Sequence, residues 1–416
     1  MRRSTPVMLI TARSVVPVYR PPINNGGVVV GDGRIIDVGS ARHLKRKYNQ
    51  SEIHDLGNVV LMPGLVNAHC HLDYTLFHRK LPKDVPFSEW ILEIVRLKKR
   101  VTPAQYIKSI QTGAFQALRT GTTSMVNIES FPELIPRVKL PQIRMWWALE
   151  LIDRNVGNDR TLLQEVIKVY SKTKNPLWTL ALSPHAPYTA TAKMFRMCAE
   201  LSLKKGLLFT THLAESKEEL EMFLYQTGFF YGITTDQGGN SVNLKGRYPL
   251  ETLSKDKMLP RRALLAHMNF TTKQDVRIMQ KARHSIVHCP RCHAYFNRSK
   301  FPYAKFKEAG INVCLGTDSL ASNDSLNMFE EMQTFARTHP RLAADEILAM
   351  TTHNAAIALN KPGQLGVLKK GAFADMIALD LNVTAEKAVA SIVDYSGFPL
   401  LTWIGGQEIK TVLGSV

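Results

Sequence analysis

The sequence predicts an α/β chain: a (β/α)8 TIM barrel with a small β-sandwich domain assembled from both chain termini. Three observations predict it. Eight short apolar runs each end in a histidine or an acid, which suits a parallel barrel with its chemistry on the carboxyl rim. The intervals between the runs are long enough for one helix each, as parallel crossovers require. Both ends of the chain read instead as short strands and turns with no helical period.

Residues 4 to about 60 carry strand patterns such as 27–31 and 34–38 and form the first part of the β-domain, residues 1–60. The first barrel run, 65–71, ends in His69 and His71. Thr102 and Pro103 then start a helix with a capping residue and a first-turn proline, Ile107, Ile110, Ala114 and Leu118 supply its apolar face, and Gly121 stops it. The next runs end at Glu129, Glu150, His185 and His212. Residues 217–261 interrupt the rhythm with Phe229, Phe230, Tyr231, Gly238 and Gly239; they read either as a lid over the barrel mouth or as a helix with a long surface loop. The last runs end at His267, His288 and Asp318, and the barrel is expected to span 61–360. After Gly363, Gly366 and Gly371, strand patterns at 374–380 and 402–406 return the chain to the β-domain, residues 361–416.

With 416 residues, 45% hydrophobic and 21% charged, the chain can bury one large core plus one small accessory domain. No apolar run approaches the roughly 20 residues that span a bilayer. Met1, Arg2 and Arg3 followed by 6–10 faintly resemble a signal peptide, but Arg13 interrupts the apolar stretch, so the expected location is cytoplasmic, away from membranes. Five cysteines, Cys70, Cys198, Cys289, Cys292 and Cys314, form no disulfide framework and suit reduced thiols. Cys289, Cys292 and His293 match the C-x-x-C-H signature of haem attachment, yet follow a buried strand in a chain without an export signal; a two-cysteine redox or metal site is the other reading. The net charge of +18 invites a nucleic-acid reading. The basic residues are spread along the chain in short clusters such as 98–100 and 369–370 with no aromatic interleaving, so a solvated basic surface is expected, no nucleic acid, and a small-molecule substrate that can be anionic. Homodimerisation is left open.

Two apart on a strand, His69 and His71 point to one face. One inward histidine is usually a core residue. Two of them, with His212 and Asp318 at the ends of other strands, supply three imidazoles and a carboxylate, a set that suits one divalent metal, Zn²⁺ or Fe²⁺. Such a donor set leaves room for a water and so describes a catalytic centre.

Residues 63–71, 183–188, 211–216, 288–290 and 316–323 together resemble the amidohydrolase superfamily, in the branch of cytosine deaminase, the triazine chlorohydrolases and the adenosine-type deaminases. The resemblance covers nearly the whole chain. It implies that His69, His71, His212 and Asp318 hold one metal, since the fourth run, 178–183, lacks the lysine that bridges two metals in some members. By the same resemblance Glu215 carries a proton from water to the substrate ring, His267 stabilises the attacking oxygen, and Asp318 doubles as ligand and proton acceptor. His185 and Trp90 are implied substrate contacts, although Trp90 also reads as a packing anchor. His288 is expected to support the site from behind its ligands and Asn323 to hold the loop after Asp318, while Glu129 and Glu150 read as partners of the metal-bound histidines or as rim ion pairs. Two departures stand out. Lys99 occupies the place where nucleoside-handling relatives carry a ribose-gripping glutamate, and the usual Cys-Pro-x-Ser-Asn motif reads Cys289-Pro290-Arg291-Cys292-His293, which alters a pocket edge and can place a second imidazole there.

The leading expectation is therefore an aminohydrolase releasing ammonia from an amino-substituted nitrogen heterocycle, with aminodeoxyfutalosine or another adenosine-like compound as the named substrate. The alternatives are a related hydrolase acting on a C–Cl, guanidine-type or cyclic amide bond, and a metal-free relative that kept the fold and lost catalysis.

Overall fold

A computed structural model describes residues 7–152, 159–235, 244 and 246–409. Met1–Pro6, which open the signal-like stretch, and Gly238 and Gly239 lie outside the described residues. Eight parallel strands form the barrel: β1 (Leu65–Cys70), β2 (Thr122–Glu129), β3 (Arg144–Leu151), β4 (Trp178–Pro184), β5 (Leu208–Leu213), β6 (Leu264–His267), β7 (Ser285–His288) and β8 (Asn312–Leu315). They pair in chain order, and each of the eight apolar runs supplies one strand. Closure comes from a parallel bridge between Cys70 and Asp318, where Thr317 and Asp318 donate backbone N–H bonds of 3.1 and 3.0 Å to the His69 carbonyl. Gly316 permits that approach: a Cβ there meets the His69 carbonyl oxygen at 2.8 Å.

Strand alternation decides which side chains enter the barrel. Val66, Ala68, Val126, Ile128, Ala148, Ala181, Leu208, Ala266, Val287 and Cys314 form one apolar cluster drawn from all eight strands, a packed interior. Their neighbours Leu65, Met125, Trp147, Leu182, Phe209, Leu265, Ile286 and Leu315 join the larger cluster with the surrounding helices. The helix Pro103–Arg119 is capped as its sequence predicts: Thr102 and Gln105 form a reciprocal capping box, Ile110, Ala114 and Leu118 are buried, and Gly121 follows with φ +89°. Segment 217–261 contains the helices Lys217–Tyr225, Gly228–Thr235 and Pro249–Lys255.

Both chain ends meet in one further sheet, ordered 407–408, 401–404, 376–379, 60–63, 8–15, 23–31 and 34–40, with 52–55 paired parallel to 8–11. Met376–Leu379 runs antiparallel to Val60–Pro63, which leads through Gly64 directly into β1. Ile10, Ala12, Val28, Val30, Leu61, Met376, Ala378 and Trp403 make its apolar cluster. A buried ion pair ties this sheet to the barrel: Arg144 on β3 donates Nε and Nη2 to the Asp375 carboxylate, with Nη2 to Oδ1 at 3.1 Å, and its guanidinium lies over Phe373 at 3.7 Å. Asp375→Ala strands that guanidinium, whose side chain is 10% exposed, and is expected to cost about 3–5 kcal/mol of stability in urea unfolding. A loss below about 1 kcal/mol assigns the pair to the weak surface class instead. No helix among the described residues is long and apolar enough to cross a membrane.

Candidate active site

The histidines and acids gather at the carboxyl ends of the strands because strand direction is common to all eight. His69 sits on β1, and His71 follows it in extended backbone with φ −128° and ψ 94°. The register of β1 against β2 shifts between Asn67 and Cys70, which breaks the alternation at this rim. Asn67 secures the distortion: its Oδ1 accepts from the backbone N–H groups of His69 and Thr317, each at 3.2 Å, and its Nδ2 donates to Thr317 Oγ1 at 2.7 Å. His212, on the interior face of β5, stands 4.9 Å from His69 and 5.2 Å from His71 between ring centroids. Asp318 Oδ1 lies 3.9 Å from His69 Nε2 and 3.7 Å from His71 Nε2.

These donors fit a divalent cation. His212 Nδ1 faces the His185 carbonyl at 3.0 Å and so carries the proton, leaving Nε2 as a lone pair 3.2 Å from His71 Nε2. Among the described residues, both ring nitrogens of His69 and Nδ1 of His71 are buried without a hydrogen-bond partner. Burial, then the neighbouring His212, holds His69 well below the ordinary histidine range; burial, then His69, does the same for His71, so both are neutral imidazoles able to ligate. A cluster of unprotonated nitrogens with spare lone pairs is costly to bury unless a cation accepts them. His69, His267 and Asp318 form a second overlapping trio of ligand atoms.

Three further groups surround that centre. Glu215 is buried; its Oε2 lies 3.6 Å from His267 Nε2 and its Oε1 accepts from Arg298 Nη2 at 2.9 Å. Glu219 fixes the Glu215 backbone, accepting its N–H at 2.7 Å, and Asn269 donates to its carbonyl at 2.9 Å. His267 (φ +73°) and Asp318 (φ +57°) adopt the left-handed region, and at His267, the neighbour of interior Ala266, that strain accompanies a departure from the regular strand alternation. Cys292 donates its thiol to Asp318 Oδ2 at 2.9 Å while Ser319 N–H bonds Oδ1 at 2.8 Å. Burial, then the charge of Glu215, raises Asp318 above the ordinary aspartate range.

A cavity of about 710 Å³, including its open mouth, rises from His71, His212, Glu215, His267 and Asp318. Trp90 and His185 line it, as do Ile91, Ile94, Val95 and Lys98 from the helix Phe87–Lys98. Lys99, one residue on, is exposed. Lys98 Nζ bonds Tyr74 Oη at 2.8 Å and Ser130 Oγ at 3.2 Å, and Ser130 donates to Glu150 Oε2 at 2.6 Å. Glu150 Oε1 faces His185 Nε2 at 3.8 Å. Although burial opposes it, the positive charge of Lys98 and the Ser130 hydroxyl hold Glu150 below the ordinary glutamate range; burial, against the pull of Glu150, lowers His185 to about 4 and keeps its imidazole neutral. Phe230 stacks on Tyr188 at 4.1 Å and packs edge-on to Phe87, so the helix Gly228–Thr235 buttresses the wall.

Other residues singled out in the sequence lie elsewhere. His288 has the outward parity of its strand and stacks on Phe301 at 3.8 Å, away from the cavity lining. Glu129 also faces outward, accepting from Asn127 Nδ2 and Phe131 N–H at 3.0 Å each. His293 turns to Asn269 and Ser299. Asn323 donates to the Thr317 carbonyl at 2.8 Å and to Glu331 at 2.7 Å, bracing the loop after Asp318. Lys98, Arg298, Tyr74 and Asn67 escaped sequence reading; only Asn67, inside the 65–71 run, carried a local signal.

The model of the Amidohydrolase family matches residues 60–409. A 5-methylthioadenosine/S-adenosylhomocysteine deaminase of Syntrophobacter fumaroxidans is 27% identical over 372 residues, covering 86% of this chain and 80% of the relative. The Helicobacter pylori aminofutalosine deaminase in complex with methylthio-coformycin superposes with a TM-score of 0.85 at 22% identity, over 97% of this chain and 100% of that one. A zinc-bound adenosine deaminase from Xanthomonas campestris gives a TM-score of 0.82 at 23% identity, over 96% and 92%. With five-sixths of its length under the family model, and with a closed parallel barrel whose rim gathers three histidines and an aspartate, this chain belongs to the amidohydrolase family.

Proposed function

We propose that the chain is a metal-dependent aminohydrolase that releases ammonia from an adenosine-like compound. The observation that carries this reading is the convergence of His69, His71, His212 and Asp318 on one buried point, with the Glu215 carboxylate and His267 beside it at the floor of a cavity. A cation bound there, zinc by preference and iron as the other candidate, supplies Lewis acidity that makes water a nucleophile at neutral pH. Glu215 takes the proton of the attacking water and delivers it to the ring nitrogen next to the attacked carbon. His267 donates toward the attacking oxygen and stabilises the charge that develops on it. Asp318, whose carboxylate is steadied by Cys292 and Ser319, takes the remaining proton from the oxygen that has added to the ring carbon and passes it to the departing amine, so the carbon–nitrogen bond breaks with ammonia as product and a ring carbonyl is left behind. Trp90 and His185 hold the heterocycle. The deaminase names of relatives over most of this chain's length support an adenosine-type substrate. The reading includes a cytoplasmic enzyme acting on a small molecule.

One observation favours the second reading, a heterocycle without ribose: the helix wall at the cavity presents Trp90, Ile91, Ile94, Val95 and Lys98, with no acid to grip a diol. Ammonia release by the zinc-loaded protein over adenosine, 5′-methylthioadenosine, S-adenosylhomocysteine, aminodeoxyfutalosine, cytosine and pterin amines, alongside halide release from a chlorotriazine, separates the two. The highest kcat/KM is expected on an adenosine-type amine. Release from none of the panel ends the proposal, and ammonia from cytosine or a pterin amine, or halide from the chlorotriazine, with none from the nucleosides replaces it with the second reading.

A further inference from the structure

Arg298 follows the short helix after β7 and reaches the loop after β5, 83 positions back in the chain. Its side chain is 9% exposed and that of Glu215 is 5% exposed, so the 2.9 Å contact between Nη2 and Oε1 is a buried ion pair. The guanidinium lies over the rings of Phe87 at 5.2 Å and Phe296 at 4.8 Å, both of which line the reaction cavity. Arg298 itself lines a neighbouring cavity, which Glu215, Phe87 and Phe296 also border. An arginine that knits a loop spends its donors on nearby carbonyls; here Nη1 is buried with no hydrogen-bond partner among the described residues, and the bond that the side chain makes is to Glu215. Burial works against the charge of Arg298, yet Glu215 raises its affinity for the proton, so the guanidinium stays charged. A buried arginine–carboxylate pair adds little net stability, which leaves the geometry it imposes as its contribution.

We infer that Arg298 is the positioning residue of Glu215: it commits Oε1 to a fixed ion pair and leaves Oε2, the oxygen beside His267, to meet the reacting atoms. The inference rests on the reading of Glu215 as the proton carrier. A carboxylate free to rotate about its last bond presents either oxygen at varying depth, and a misplacement of about 1 Å at such a group costs about 100-fold in rate. Because Glu219 and Asn269 hold only the Glu215 backbone, they cannot substitute for the guanidinium at the carboxylate.

Arg298→Met keeps the stack on Phe87 and Phe296 and removes every donor; Arg298→Lys keeps the charge without the planar fork. In the full-length zinc-loaded protein, Arg298→Met is expected to lower kcat by about 100-fold with KM changed less than about threefold. Guanidinium ion added to Arg298→Ala is expected to recover part of its lost kcat, whereas a purely structural role is not rescued. Crystal structures of the wild type and Arg298→Met read the same point without turnover, with the Glu215 carboxylate turning away from His267 in the variant. A carboxylate that keeps its place and an unchanged kcat overturn the inference, as does a loss confined to KM. Should Arg298→Met fail to fold, Arg298→Lys decides by the same crystallographic criterion. If the wild type proves inactive on every substrate, the functional reading fails, while the position of Glu215 in the two crystal structures still tests Arg298.

Discussion

Glu215→Gln is expected to lower kcat by about two to four powers of ten while bound metal and thermal midpoint stay at wild-type values. Glutamine is nearly isosteric, so the buried site is not emptied, and its amide oxygen still accepts from Arg298 at the place Oε1 occupies. What is lost is the ability to bind and release a proton at Oε2, 3.6 Å from His267. The backbone anchors from Glu219 and Asn269 are untouched, so the loop after β5 holds its shape. A transition-state step that needs two proton transfers loses both if one group performs them, which is why the effect should fall on kcat and leave KM nearly alone. Wild-type turnover by this variant, on a substrate the parent enzyme deaminates, removes Glu215 from the reaction.

Stripping the metal with a chelator is expected to abolish ammonia release, and stoichiometric Zn²⁺ to restore it. The physical cause is the state of the floor of the site: His69 and His71 are neutral, His71 and His212 nitrogens face each other at 3.2 Å, and Asp318 brings a carboxylate within 4 Å of both His69 and His71. Without a cation these groups repel or stand unsatisfied. Zinc should therefore also raise the melting temperature, by mass action equivalent to about 4 kcal/mol at a thousandfold excess over Kd. His71→Ala, which removes one imidazole from the cluster, should weaken metal retention as read by elemental analysis of the dialysed protein. Equal activity with and without metal contradicts the proposed chemistry, whatever the melting behaviour.

The barrel was legible because its signal is local. An apolar run of a few residues, a polar rim residue at its end, and a helical interval before the next run are all properties of contiguous chain, and each of the eight runs became a strand in sequence order. The helix Pro103–Arg119 was equally readable, since its cap, proline and glycine act within a few residues of one another. His288 and Glu129 show where the same reading stops. Both end apolar runs, but their parity within β7 and β2 turns them outward, and parity depends on where each strand starts to pair. His69, His71 and His267 escape strict parity through a register shift or a left-handed backbone, distortions that the residues themselves do not announce.

What the sequence determined by itself was the class of fold, the family, and the set of histidines and acids that stand at the strand ends. Only the tertiary structure decided which of two adjacent lysines lines the cavity: one residue around a helix is roughly 100°, enough to turn a half-buried Lys98 to the cavity and leave Lys99 exposed. It alone decided that Cys292 serves Asp318 and that Arg298 grips Glu215. The reason is that periodicity and capping are short-range along the chain, whereas these pairings exist only after the loops of β5, β7 and β8 have been brought together by barrel closure.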